Sequence, residues 1–270
     1  MSIQPDVKDS SASVLLRETN GNVAKITLNR PEKFNTLNEE LLAALQSELN
    51  TIASDDSIRV VVLAAVGKAF CAGHDLREMR ESYDESYYKQ LFANCSQFMQ
   101  TITSIPQPVI ARVQGMATAA GCQLVASCDL AIAGNDTRFA VSGINLGLFC
   151  STPSVALSRN ISRKRAFEML FTGDFIDAGT AKEWGLINDV VPDDQLDARI
   201  NTLCERISEK PQIAVKTGKQ MFYQQVEKSL TDAYTFAGDT MACNMMADDT
   251  REGVDAFLEK RKPDWTKQGD

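Results

Sequence analysis

The chain has 270 residues, 44% of them hydrophobic, enough for one or two globular units with a substantial core. A formal net charge of -8 argues against nucleic acid or an anionic membrane as the main partner, while an anionic small ligand needs only local donors. No apolar run approaches the roughly 18 to 20 residues of a membrane span.

Residues 1–12 read as a flexible tail, without the basic and apolar blocks of a secretory signal and without any arginine before Arg17. "VAKITL" (23–28) is predicted as a strand. From Asn38, a good N-cap, Leu41, Leu42, Leu45, Leu49 and Ile52 keep helical spacing. "IRVVVLAAV" (58–66) is apolar throughout, as in a strand covered on both faces. "GKAFCAGHDLREM" (67–79) turns from it into another helix, and a further helix runs to about residue 104. "PVIARVQG" (108–115) gives a third strand and "CDLAIAG" (128–134) a fourth. From about Arg163 to Lys262 most windows read helical. Strand–helix alternation followed by a helical block predicts an α/β core over 13–205 and a C-terminal helical region over 206–270.

Seven cysteines (71, 95, 122, 128, 150, 204 and 243) are scattered in mostly apolar runs, the pattern of buried thiols in a reducing compartment. With one histidine and no Cys-x-x-Cys, no metal site is expected. The expected location is cytoplasmic, or the mitochondrial matrix were the chain eukaryotic.

Two stretches have the physics of a carbonyl-binding site. In "GKAFCAGHDL" (67–76) small residues lead from strand to helix, so that the His74 N–H can point outward. In "GMATAAGCQ" (115–123) Thr118 is a plausible N-cap, which places Ala120 in a first turn with an unpaired N–H. Two such donors converging make an oxyanion hole, in which each is worth about 3 to 4 kcal/mol of transition-state stabilisation. Small residues also occur where elements merely pack closely, and spacing alone does not choose.

The motifs "ITLNRPEKFNTLN" (26–38), "GKAFCAGHDL" (67–76), "PQPVIARVQGMATAAGCQLVASCDLAIAG" (106–134), "FTGDFIDAGTAKEWGLINDVVP" (171–192) and "FLEKRKPDW" (257–265) together resemble the crotonase superfamily, the enoyl-CoA hydratase/isomerase group. Within it, "ATAAGCQLVASCDLA" (117–131) and "GLFCSTPSVAL" (147–157) are similar to the enoyl-CoA hydratase domain-containing branch, known also from mitochondria. The resemblance implies an α/β spiral of ββα units with a C-terminal helical trimerisation region, assembled as a homotrimer or homohexamer. It implies an acyl-CoA or enoyl-CoA thioester as substrate or ligand and no resident cofactor. It assigns the oxyanion-hole donors to the backbone of His74 and Ala120. Cys71, Ala72, Gly73, Asp75 and Gly121 would line the coenzyme, and Lys33 would face its phosphates. Phe257 and Lys260 would reach the coenzyme of a neighbouring subunit.

The family's hydratases flank the reacting carbons with two glutamates. Here those positions are Gln123 and, in "FAVSGINLG" (139–147), Gly143. General acid–base catalysis is worth about 10² to 10⁴ per group, so hydration by the two-carboxylate route is expected to be impaired. An amide can orient water but cannot take its proton. Substitutes are few. Phe149, Cys150 and Ser151 stand where some family members carry an aspartate. A Cys150 thiolate would support thioester hydrolysis if its pKa were lowered, although a packed thiol is the commoner case. The His74 ring could act as a base, and Asp75 could cap the next helix or face the adenine. Elsewhere "EKRK" (259–262) reads as a solvated helix end, Trp184 as core, and the methionines of "MACNMMADD" (241–249) as interface filling. Three functions follow: a crotonase-type hydratase or isomerase, a CoA-thioester binding protein with little chemistry, or an acyl-CoA thioesterase.

Overall fold

The structure, a computed structural model, describes residues 13–265, so the tail expected over 1–12 lies outside the described residues. The chain opens with an antiparallel hairpin, β1 (Leu15–Asn20) and β2 (Val23–Leu28), turning at Gly21 with φ +58. Helix α1 (Glu39–Ala53) follows, its first turn closed by the Asn38 side chain accepting from the Leu41 N–H at 3.0 Å. All five apolar positions of its predicted stripe are buried. Next come β3 (Val60–Ala65), α2 (Leu76–Glu81), α3 (Glu85–Ser104), β4 (Val109–Val113), β5 (Met116–Thr118), α4 (Ala120–Ser127), β6 (Leu130–Gly134) and β7 (Arg138–Ala140). A 3-10 turn over Ser142–Leu146 leads to α5 (Ser151–Asn160), α6 (Arg163–Thr172), β8 (Ile176–Asp177), α7 (Ala178–Trp184) and β9 (Asp189–Val191). The chain closes with α8 (Leu196–Ser208), α9 (Gln212–Gln225), α10 (Leu230–Met245) and α11 (Asp248–Leu258).

Two sheets result. The larger runs β1-β2-β3-β4-β6-β9, parallel beyond the hairpin, and the smaller runs β5-β7-β8. Each of β4–β5 and β6–β7 steps from the large sheet to the small one before the chain turns helical, which generates the expected spiral of ββα units. Strand β3 is buried at every position: Val61, Leu63 and Ala65 face the main core, while Val60 and Val62 face Leu196, Ile200 and Cys204 of α8. A two-sided burial of this kind explains its unbroken apolar run.

The sequence reading missed β1, β5 and β7, and it treated 163–262 as mostly helical. Within that block β8 and β9 intervene: α7 stops at Gly185 (φ +86), and 189–191 pairs in parallel with β6. Two- and three-residue strands are too short to show alternation. The expected division at 205/206 falls inside α8.

The C-terminal helices are fastened at one buried point. The Lys219 ammonium donates to the carbonyls of Ile102 (2.7 Å) and Gln107 (2.8 Å) and to Asp129 (2.7 Å), while the Tyr223 hydroxyl donates to the other Asp129 oxygen at 2.8 Å. Asp129 also accepts from the Val109 N–H at 2.6 Å, so α9 is tied to the start of β4. Helix α10, by contrast, buries none of its residues within the chain.

Candidate active site

Segment 71–75 is held on both edges. Cys71 pairs with Ala117 of β5, its N–H donating to Met116 (3.2 Å) and its carbonyl accepting from Thr118 (3.0 Å). On the other edge the Gly73 carbonyl accepts from Leu37 (2.8 Å) and the Asp75 N–H donates back to Leu37 (3.0 Å). Because residues 73 and 75 use the Leu37 edge, the intervening His74 N–H faces away from it, as alternate groups of an extended chain do.

Gly73, at φ +96, lies directly against the start of α4. A Cβ there would meet Ala119 Cβ at 2.9 Å, the Thr118 carbonyl at 3.3 Å and Ala120 N at 3.4 Å. Gly121 is equally constrained, since a Cβ would fall 2.0 Å from the Cys71 carbonyl oxygen. Glycine at both positions lets two backbone segments approach as no other residue would allow.

The predicted Thr118 cap is corrected. Thr118 ends β5, with its hydroxyl 2.9 Å from that of Ser142, and the N-cap is Ala119, without a side-chain bond. Pairing of β5 with Ala140 holds Thr118 extended, so the turn into the helix falls on Ala119, at φ +50 and ψ −121. A residue with a Cβ in that region stores about 1 to 3 kcal/mol of strain, and such outliers gather at functional sites.

Gln123 follows Ala120 by three residues, which places it one turn further along the same side of α4. It is buried, and its Oε1 has no hydrogen-bond partner among the described residues. Gly143 lies in the 3-10 turn, where a Cβ would meet the Leu148 carbonyl at 2.6 Å and Cys150 Sγ at 2.7 Å. The turn folds back at Gly147 (φ +77), and the Leu148 N–H returns to the Gly143 carbonyl at 3.0 Å. The sulfur of Cys150 therefore occupies the space a side chain at 143 would need.

Cys150 is buried at the start of α5, and burial pushes its thiol above the usual range against partial relief from the Gly143 backbone. Burial likewise pushes Cys122 up to about 12, with Cys150 nearby adding to the effect. This is the reverse of the lowered pKa that a reactive thiolate requires. The His74 ring meets the edge of Phe92 at 5.5 Å, and burial lowers its pKa to about 4. It is therefore neutral at pH 7 and no stronger as a base than a carboxylate.

Asp75 caps α2 through the Arg77 N–H at 3.2 Å and also accepts from Arg30 (3.1 Å) and Thr36 (3.3 Å), so its carboxylate is engaged within the chain. Lys33 is exposed at the end of a short turn, beside Phe34, whose carbonyl accepts from Ala72 at 3.1 Å. Phe257 and Lys260 are exposed at the end of α11, and among the described residues no hydrogen bond or ring contact ties them to segment 71–75. The sequence reading missed the Ala119 backbone and the ring series Tyr87, Tyr88 and Phe92 on α3 beside His74. Neither has a signal in local composition.

A groove of about 710 Å³ lies on the opposite face of the large sheet, lined by Glu18, Lys25, Asp197, Glu205 and Glu209 among others. Its acidic rim disfavours a polyanionic ligand.

Residues 18–268 match the enoyl-CoA hydratase/isomerase family. A mitochondrial enoyl-CoA hydratase domain-containing protein 3 from Xenopus laevis is 43% identical, over 93% of this chain and 85% of its own length. The crystal structure of an enoyl-CoA hydratase from Mycobacterium smegmatis is similar at 57% identity and a TM-score of 0.93, covering 94% of this chain and 99% of that one. That of human enoyl-CoA hydratase domain-containing protein 3 is similar at 42% identity and a TM-score of 0.91, covering 93% of this chain and 100% of that one. With its fold of stepped ββα units and this match along almost its full length, the chain belongs to the enoyl-CoA hydratase/isomerase family of the crotonase superfamily.

Proposed function

We propose that the chain binds an acyl-CoA or enoyl-CoA with its thioester carbonyl between the backbone N–H groups of His74 and Ala120, and stabilises negative charge developing on that oxygen. The observation that carries this reading is the close seating of Gly73 against the Ala120 nitrogen, beside a strained helix start with no capping side chain. Main-chain donors fixed in a water-poor pocket stabilise an enolate at no reorganisation cost. Lys33, and Lys260 from a neighbouring subunit, would answer the coenzyme's phosphates.

Proton transfer is the weak part of the machinery. Gln123 and Gly143 stand at the two glutamate positions, and the packing about Gly143 leaves no room to restore the second. We therefore assign enolate stabilisation, as in isomerisation or α-proton exchange, ahead of water addition. With crotonyl-CoA, the loss of enoyl-thioester absorbance should run at least about a hundredfold below a typical hydratase and rise in Gln123→Glu. Exchange of α-protons of butyryl-CoA into deuterium oxide, each proton leaving to a solvent base, should be catalysed by the wild type. Hydration by the wild type at about 10 s⁻¹, the median for enzymes, would overturn the assignment.

Thioester hydrolysis through Cys150 is the weaker alternative, given its buried thiol. It predicts free coenzyme A release abolished by Cys150→Ala. A binding protein without turnover is the other alternative, and it predicts affinity with neither exchange nor hydration.

We also propose self-association as a trimer or paired trimer. Leu230, Tyr234, Met241 and Met245 of α10, and Met246 just after it, all lie exposed in the single chain. Light scattering on a size-exclusion column reads the mass directly. No helix among the described residues is long and apolar enough to cross a membrane. Relatives named as mitochondrial fit a matrix location were the source eukaryotic.

A further inference from the structure

Asn35 is wholly buried, and its side chain joins two stretches of chain that meet at segment 71–75. Its amide nitrogen donates to the carbonyls of Val66 and Ala69, both at 2.8 Å, and its carbonyl oxygen accepts from the Arg30 N–H at 2.8 Å. Both amide protons are thus spent on the loop that leads from β3 into segment 71–75, while the oxygen holds the turn that opens at Arg30. Turn and loop also touch through Gly67, where a Cβ would fall 2.7 Å from Pro31 Cβ.

The backbone here bends in an uncommon way. Phe34 (φ +51) and Asn35 (φ +53) are successive left-handed residues. Asparagine adopts that region readily, whereas a bulky aromatic does not, so the bonded Asn35 side chain locks a bend that Phe34 opposes. On either side of it stand the residues that grip segment 71–75. The Phe34 carbonyl accepts from Ala72, while Leu37 donates to Gly73 and accepts from Asp75. The His74 N–H lies between the two Leu37 bonds, so its direction follows from where residues 34–37 are held. The other edge of the segment is fastened separately to β5, and Ala120 belongs to α4. Loss of the Asn35 side chain would therefore disturb one candidate donor and leave the other in place.

Resting on the thioester reading above, we infer that Asn35 is a positioning residue for the reaction: without touching the acyl group, its side chain aims the His74 N–H at the thioester oxygen.

Isotope-edited infrared spectroscopy of butyryl-CoA labelled at its thioester carbonyl tests this on the full chain. A carbonyl held by two donors absorbs at lower frequency than the same carbonyl in water, whether or not the enzyme turns over. Asn35→Gly removes the side chain while keeping a backbone free to stay left-handed, and Asn35→Ser is a milder second variant. In both, the bound shift should fall to about half, one of the two donors being misaimed. Exchange of α-protons should drop about ten- to a hundredfold, as for a small misplacement of a reacting group, with affinity for butyryl-CoA kept within about threefold. Asn38→Ala, which loosens only the start of α1, serves as the control and should keep the full shift. A full shift in a folded Asn35 variant overturns the inference while the thioester reading stands, as does an equal loss in Asn38→Ala. Thermal melting that finds both Asn35 variants unfolded overturns it too, since the side chain would then serve the fold and not the aim of one donor. Absence of any shift in the wild type overturns the thioester reading and the inference with it.

Discussion

A methyl group at residue 143 has nowhere to go. Gly143→Ala would press a Cβ against the Leu148 carbonyl, which is backbone, and against the Cys150 sulfur. It should cost about 1 to 3 kcal/mol in urea unfolding, in the range of overpacked cores. At Gly147 a Cβ would meet open space, and only the positive φ penalises substitution. The lone histidine gives a second test at this scale. Its native pKa, near 4, lies below the unfolded value of about 6.5, so the unfolded chain binds the extra proton first as pH falls. Stability should therefore drop by on the order of 2 kcal/mol between pH 7 and 5, level off below pH 4, and lose this component in His74→Asn. With a single histidine, one ring resonance followed by NMR on untagged protein reports the titration directly. Gln123 and Gly143 were both legible in the sequence as positions, because motif spacing fixes where a residue stands. That the 143 site is filled by a sulfur seven residues on was not legible, since the contact depends on how the turn closes.

Helix α1 was visible from its stripe of leucines and its asparagine, since period and cap are both local. Removing the cap with Asn38→Ala should lower the melting midpoint, by about 1 kcal/mol in stability terms, with α1 still formed by circular dichroism. Strands β5 and β7 were not visible. Three residues carry too little period, and their pairing partners lie far along the chain. The same shortage misplaced the start of α4: Thr118 has the chemistry of a cap but is held extended by pairing with β7. The close seating of segment 71–75 against the start of α4 was thus suggested by two small-residue stretches, whereas the strained Ala119 in the second of them required the three-dimensional register.

At the scale of the molecule, one buried cluster fastens the C-terminal helices to the sheet. Lys219→Ala leaves the Asp129 carboxylate uncompensated, and Asp129→Ala does the same to the ammonium. Each should cost about 3 to 5 kcal/mol in urea unfolding. The double replacement should cost less than the sum of the two, because neither charge is then stranded. A second clasp, Asp189 between Lys182 and Arg199, has its carboxyl lowered to about 2 chiefly by those hydrogen bonds. Its stabilisation is present above the unfolded value near 3.9 and is lost as pH falls through about 2. The alternation that suggested an α/β core followed by a helical block was legible because it is a property of whole segments. No local pattern revealed the lysine that ties the two together.

That lysine also sets an order of events in synthesis. Asp129 leaves the ribosome 90 residues ahead of its counter-ion. Until α9 emerges, the nascent sheet carries a carboxylate with no ammonium to meet it. Partly made chains would therefore lack the tie between sheet and C-terminal helices, and the molecule should mature in one late step as those helices dock.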